Sequence, residues 1–257
     1  MKKQKDLTRQ ALEIEYRSDA RLMHLIFSGP PYRDVLGWFH KYGKPRNYLE
    51  IGVADGGSFR LAGQETLAIG VDPNPVVPRD ISDQIFRETS DSFFARDAKG
   101  TIFGEPVQFA FIDGLHTFDQ ALRDFINVEK IAGPESVIVF HDVRPIRPKV
   151  ALRQRQTIFW TGDVWKTAAI LASERKDLSF LYVPTAPSGL LIVTRLSPKS
   201  TKLLDNFAEI KTEWIHRELP ENLEDVVSRF ERMENFEGAI RAFVKTAWGP
   251  RPATERR

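Results

Sequence analysis

Four short apolar runs, each ending in or just short of glycine or aspartate, organise the chain between residues 47 and 142. They are "NYLEIGV" from Asn47, "LAIGVD" (67–72), "PVQFAFID" (106–113) and "SVIVFHD" (136–142). Between them lie stretches with helical spacing, at about 58–65, about 80–87 and 117–131. Near-continuous apolar strands alternating with helices predict a parallel sheet covered on both faces. Two more runs, 178–184 and 189–195, are joined by "TAPS". So short a link suits a hairpin, so the sheet is expected to end in an antiparallel pair. Upstream, 8–27 reads as a helix stopped by "GPP" at 29–31, because proline cannot continue a helix. Residues 32–42 read as a second, shorter helix. After Pro198 two amphipathic stretches, "KSTKLLDNFAEIKTEWIHREL" and "NLEDVVSRFERMENFEGAIRAFVKTAW", read as helices forming a lid, an appendage or a dimer arm. Their aromatics, from Phe207 and Trp214 to Phe243 and Trp248, are expected to be buried against the body or a second copy. "GPRPATERR" reads as a frayed tail. The expected organisation is an N-terminal helical segment (1–44), an α/β domain (45–196) and a helical extension (197–257).

Composition narrows the class. A length of 257 residues allows one large domain or a domain with an extra lobe. A net charge of +2 makes no bulk-charge case for nucleic acid. No window approaches the roughly 20 apolar residues that span a bilayer. The basic start lacks an apolar core, so no secretory signal is expected. The absence of cysteine excludes disulfides and thiolate chemistry and removes zinc's favoured structural ligand. A cytoplasmic protein that binds neither nucleic acid nor membrane is expected.

The candidate chemistry sits at the strand ends. "LEIGVADGGSF" follows a strand and is expected to open a helix, with Ser58 as its cap and free backbone N–H groups facing a ligand. A dinucleotide fingerprint, G-x-G-x-x-G, fits poorly: Gly52 and Gly57 match, but Ala54 replaces the glycine that lets the backbone approach a pyrophosphate. Asp72 ends the second strand about 20 residues on, where a carboxylate can accept both ribose hydroxyls. The fourth strand delivers "IDGLH" and the fifth "FHD". In a doubly wound sheet these ends lie side by side, so Asp113 and Asp142 would face one another. Paired carboxylates repel unless a proton or a cation separates them, and Mg2+ takes oxygen ligands. Asp113 and Asp142 as helix caps, with His116 bonded to a carbonyl, is the plainer alternative.

Read as E-x-G-x-x-x-G, the glycine turn resembles the first motif of class I S-adenosylmethionine-dependent methyltransferases. The resemblance implies a Rossmann-like, doubly wound α/β sheet of seven strands, ordered 3-2-1-4-5-7-6 with the last strand antiparallel. It places cofactor contacts at Glu50, Gly52, Val53, Ala54, Gly56, Ser58, Asp72 and Asp113. "RETSDSFF" resembles the end of the family's third strand, with Ser90 and Asp91 beside the adenine. "DGLHTFDQALRDF" followed by "GPESVIVFHD" is similar to sugar and small-molecule O-methyltransferases, near macrolide-sugar methyltransferases and cephalosporin-hydroxylase-like proteins. That likeness implies a divalent cation, Mg2+, on Asp113 and Asp142, with His116 as general base. His141 stands where some relatives have an acid, so it is a third ligand, a second base or a substrate contact. The implied reaction is metal-assisted O-methylation of a small-molecule or sugar hydroxyl in natural product biosynthesis. The C-terminal helices offer a route to a homodimer. Its rivals are metal-independent N-methylation and a nucleoside-binding protein without turnover; a nicotinamide oxidoreductase is counted against by Ala54.

The segment 143–162 carries Arg144, Arg147, Lys149, Arg153 and Arg155 and no acid. It reads either as a grip for an anionic substrate or as a solvated mobile loop. Trp160 is a candidate wall for the acceptor. His24, His40 and His216 read as packing or surface residues.

Overall fold

The structure is a computed structural model that describes residues 2–248. The apolar runs form strands β1 (Asn47–Ile51), β2 (Leu67–Val71), β4 (Val107–Ile112), β5 (Ala132–Phe140), β6 (Ser179–Val183) and β7 (Leu190–Thr194). Two short strands join them, β3 (Ile85–Phe86) and β8 (Glu231–Arg232). The helices are α1 (Lys2–Ile26), α2 (Tyr32–Trp38), α3 (Arg79–Ser82), α4 (Ser90–Arg96), α5 (Phe118–Lys130), α6 (Trp165–Glu174), α7 (Lys202–Asp205), α8 (Phe207–Trp214) and α9 (Glu237–Trp248). The sheet order is β3-β2-β1-β4-β5-β7-β6-β8. β7 runs antiparallel to β5 and β6, and the other pairings are parallel. The expected seven-strand order is therefore present, with β8 added at the edge beyond β6.

Every residue of β1 and β4 is buried, which is why both read as unbroken apolar runs rather than alternating ones. One face of the sheet packs on α5 and α6 through Phe118, Phe125, Phe140 and Ile170. The other face packs on α2 and α9 through Leu36, Phe39, Phe109 and Ile240. The direction of winding reverses between β1 and β4. Ligands of open α/β sheets bind at this switch point, beyond the carboxyl ends of the strands.

Several local expectations are corrected. After β1 the chain makes only a single 3-10 turn, Phe59–Leu61, and not a helix over 58–65. Ser58 does not cap it; its hydroxyl turns down to Glu50. The stretch 80–87 splits into α3 and β3, because the Ile85–Phe86 backbone is captured by β2. The first C-terminal stretch is broken at Asn206, and the second contains a 3-10 turn, Leu223–Val226, and β8 before α9 begins. α9 packs on α2 and on the turn at 39–43, and buries Ile240 and Val244 there. Part of the apolar face expected to be buried against the body or a second copy is thus buried against the body. The segment "GPRPATERR" lies outside the described residues. Among the described residues, no helix is long and apolar enough to cross a membrane.

His40 lies in one π-helical turn, Phe39–Gly43, packed against the rings of Tyr48 and Phe109. Neither ring nitrogen has a hydrogen-bond partner, and burial pulls its pKa down to about 4. An unfolded chain takes up this proton near the ordinary histidine value of about 6.5, before the folded chain does. The contribution of His40 to stability is therefore complete above that pH. It is lost as pH falls toward 4, by about 3 kcal/mol in all. His40→Phe should remove this acid sensitivity, and its stability advantage in urea unfolding should grow between pH 7 and pH 5. An advantage that does not change with pH contradicts this account.

Candidate functional site

Backbone bonds carry the sheet one residue past the strands and align their ends. Gly52 N–H donates to Val71 O (2.9 Å), Asp113 N–H to Ile51 O (2.8 Å) and His141 N–H to Ile112 O (3.2 Å). Gly52 has φ +89°, and a Cβ there would stand 2.0 Å from the Asp113 carbonyl oxygen. Close approach of two strand ends, rather than contact with a ligand alone, is what requires glycine at this position. His116 (φ 58°) and Asp142 (φ 59°) are both left-handed. Such conformations cost a non-glycine residue on the order of 1–3 kcal/mol each and persist where the surroundings enforce them. Gly162 helps enforce the first: a Cβ there would lie 1.8 Å from the His116 carbonyl oxygen.

The four side chains delivered by β4 and β5 form one array. Asp113 Oδ1 lies 3.1 Å from His141 Nδ1 and 3.3 Å from His116 Nε2. Asp142 Oδ2 lies 3.0 Å from His116 Nδ1, which is also 2.9 Å from the Trp160 carbonyl oxygen. His116 is thus held between two carboxylates. Burial works against its charge, but Asp142 and the bonds to both acids prevail and push its pKa up to about 11. In this arrangement His116 is a cation at neutral pH. Burial likewise opposes a charge on His141, yet Asp113 and Asp142 hold its pKa above the usual histidine value. Against burial, the neighbouring imidazoles hold the Asp113 carboxyl well below the usual range.

Ser188, from the β6–β7 link, completes the array. Its hydroxyl donates to Asp142 Oδ1 (2.5 Å) and lies 3.3 Å from His141 Nε2. Because its hydroxyl proton goes to Asp142, Ser188 Oγ is left to accept from His141 Nε2–H, while His141 Nδ1–H donates to Asp113; a cation seated among the acids would take the place of the Nδ1 proton. Asp113, His141 and Asp142 each offer one donor atom, all within 4.8 Å of one another. Two carboxylate oxygens and an oriented imidazole nitrogen fit a divalent cation, with Ser188 fixing the orientation from behind.

A cavity of about 540 Å³ lies over the switch point. Of the residues expected around a nucleoside, Gly52, Ala54, Asp72, Ser90, Asp91 and Asp113 line it, and so does His116. Asp72 accepts from Ala54 N–H (2.8 Å) and Asn74 N–H (2.7 Å), so it shapes the loop as well as facing the cavity. Glu50, Val53, Gly56 and Ser58 do not line it. Glu50 is fully buried beneath the turn and accepts from the hydroxyls of Tyr48 and Ser58, both at 2.6 Å. Burial pushes its pKa up to about 8. Sequence reasoning missed Thr89, Gln120 and Asp124, which also line the cavity. The Gln120 amide nitrogen faces Ser90 Oγ (3.2 Å), Asp91 Oδ1 (3.1 Å) and Asp124 Oδ1 (3.0 Å). Burial raises the Asp124 pKa to about 6. Nothing but polar positions on an amphipathic helix marks Gln120 and Asp124 in the sequence.

The basic segment 143–162 fits neither expectation. Arg144 is buried and paired with Glu224, and Arg147 holds Asp19 (2.5 Å) and Glu15 (3.0 Å) of α1. Lys149 also reaches Glu15 (2.7 Å), and Arg153 reaches Asp119 (2.6 Å) and Asp163 (3.4 Å). These cations fasten α1, α5 and the C-terminal region around the site. Trp160 does stand beside it, stacked on His116 with ring centroids 5.3 Å apart.

Residues 49–143 match the family model described as a methyltransferase domain. No curated protein matches the chain. Among solved structures it is similar to the O-methyltransferase from Bacillus cereus in complex with S-adenosylhomocysteine, at 17% identity over 72% of this chain and 90% of that one (TM-score 0.42). The O-methyltransferase TomG from Streptomyces achromogenes, involved in tomaymycin synthesis, is 14% identical over 68% and 88% (TM-score 0.45). An O-methyltransferase family protein from Burkholderia thailandensis is 13% identical over 65% and 55% (TM-score 0.47). At these identities and scores the likeness says nothing about which residues act.

Proposed function

We infer that this chain, which carries a methyltransferase domain over residues 49–143, moves the methyl group of S-adenosylmethionine to a hydroxyl oxygen of a small molecule. The observation that carries this reading is a single cavity lined both by Asp72, Ser90 and Asp91 and by Asp113 and His116. The first three offer acceptors to the ribose and adenine. The last two belong to the array where a proton can be taken. Glu50 and Gly52 shape the turn that the methionine part lies against.

The acceptor oxygen attacks the sulfonium methyl in line. A C–O bond forms as the S–C bond breaks, and the sulfonium leaves as the neutral thioether of S-adenosylhomocysteine. The hydroxyl proton must go to the enzyme. Asp113, Asp142 and His141 Nδ1 would hold a divalent cation, which when bound lowers the hydroxyl pKa and spends the charge of the two acids. With those charges spent, His116 would no longer be held as a cation and would take the hydroxyl proton as the base; positioning supplies much of the remaining rate. Sugar and other small hydroxyl acceptors of natural product biosynthesis both fit this scheme.

Methyl transfer assayed with and without EDTA tests it. Activity should fall at least about a hundredfold with chelator and return with Mg2+. Equal rates in both conditions would contradict the metal and favour metal-independent transfer.

A further inference from the structure

We propose that Gln120 determines which nucleoside the cofactor site accepts, by aiming hydrogen-bond acceptors at the purine so that a 6-amino base binds and a 6-oxo base does not; this rests on the methyltransferase reading above. Gln120 and Asp124 stand one turn apart on α5, the spacing at which helix side chains meet. Both line the cavity, together with Ser90 and Asp91 of α4. The Gln120 amide nitrogen lies 3.0 Å from Asp124 Oδ1, 3.1 Å from Asp91 Oδ1 and 3.2 Å from Ser90 Oγ. An amide nitrogen has two protons for these three neighbours. The Ser90 hydroxyl turns its own proton to Asp124, so both amide protons go to the two carboxylates. The opposite amide orientation would set Oε1 against two carboxylate oxygens at these distances, so the network itself assigns the nitrogen to this side.

The two acids differ in what they need from Gln120. Asp124 is 1% exposed and anchors the amide. The Asp91 side chain is 50% exposed, and Gln120 fixes it through Oδ1. Arg123, 3.7 Å from the same oxygen, is not part of the cavity wall. What the network leaves unspent, Asp91 Oδ2 and the Gln120 carbonyl oxygen, accepts and cannot donate. The Thr89 hydroxyl, also in the wall, is engaged with Ser92 Oγ (3.0 Å). An exocyclic amine is satisfied by such a set of acceptors. A carbonyl in its place meets like partial charges and gives up its water for no new bond.

The test is calorimetric titration of the full chain with S-adenosylhomocysteine and with S-inosylhomocysteine, the same nucleoside with a carbonyl in place of the 6-amine. The parent chain should bind the first at least about thirtyfold tighter. Gln120→Ala should bring the two within about threefold of each other, because Asp91 is no longer aimed. Gln120→Met, which keeps the length of the side chain but has no amide, should do the same, and both substitutions leave a good helix former in α5. A parent preference below about threefold, or one that survives both substitutions, would overturn the proposal while S-adenosylhomocysteine still binds, and would spare the methyltransferase reading. A loss shared equally by the two ligands would mark Gln120 as a support of the fold and overturn it as well. Failure of the parent chain to bind S-adenosylhomocysteine would overturn that reading and the proposal with it.

Discussion

Asp113→Ala is expected to lower kcat/KM for methyl transfer about a thousandfold. Asp113 lies 3.1 Å from His141 and 3.3 Å from His116, and unlike Asp142 it also lines the cavity over the switch point. Its removal takes away one of the three side chains proposed to hold a cation and leaves His141 facing Asp142 alone, 3.5 Å away. The backbone should hold, because the Asp113 N–H stays bonded to Ile51 and that bond needs no side chain. Steady-state kinetics with a chain that still melts cooperatively would decide the matter. A variant within tenfold of the parent would show that the array is structural.

Gly52→Ala is expected to cost about 3–5 kcal/mol of stability and to abolish nucleoside binding. The new methyl would stand 2.0 Å from the Asp113 carbonyl oxygen and 2.8 Å from Gly114 Cα, at a φ of +89°. Both obstacles are backbone, so no side chain can rotate out of the way. Relief requires β1 and β4 to part at their carboxyl ends, which also separates the two halves of the cavity. Urea unfolding measures the first effect and calorimetry the second. A loss below about 1 kcal/mol would mean that the strand ends are much less rigid than described.

These two positions also show how far the sequence speaks for itself. Gly52, Asp113 and Asp142 close strands that are buried on both faces, and such strands announce themselves as apolar runs with an abrupt polar end. Asp113, His116, His141 and Asp142 were legible for that reason. Ser188 was not: it reaches the array only because the β6–β7 link folds back over β5, a tertiary event with no local pattern. Gln120 and Asp124 look like any polar positions of an amphipathic helix. β3 and β8 have two residues each, too few to show a period of two, and exist because a neighbouring strand captures them. The turn after β1 was misread as a helix because "DGGSF" carries the capping serine, whereas in the fold that serine is spent on Glu50. The cations of 143–162 looked free because their partners Glu15, Asp19, Asp119 and Glu224 lie far away in sequence. The array's charge state was hidden for the same reason. Nothing in "IDGLH" says that His116 will lie between two carboxylates.

Calorimetric titration of the chain with S-adenosylhomocysteine, with NAD as the control ligand, tests the central claim most directly. Saturable binding at a stoichiometry near one, weakened by Asp72→Ala and with NAD silent, is the expected result. NAD binding in place of S-adenosylhomocysteine, or no binding of either, would contradict it.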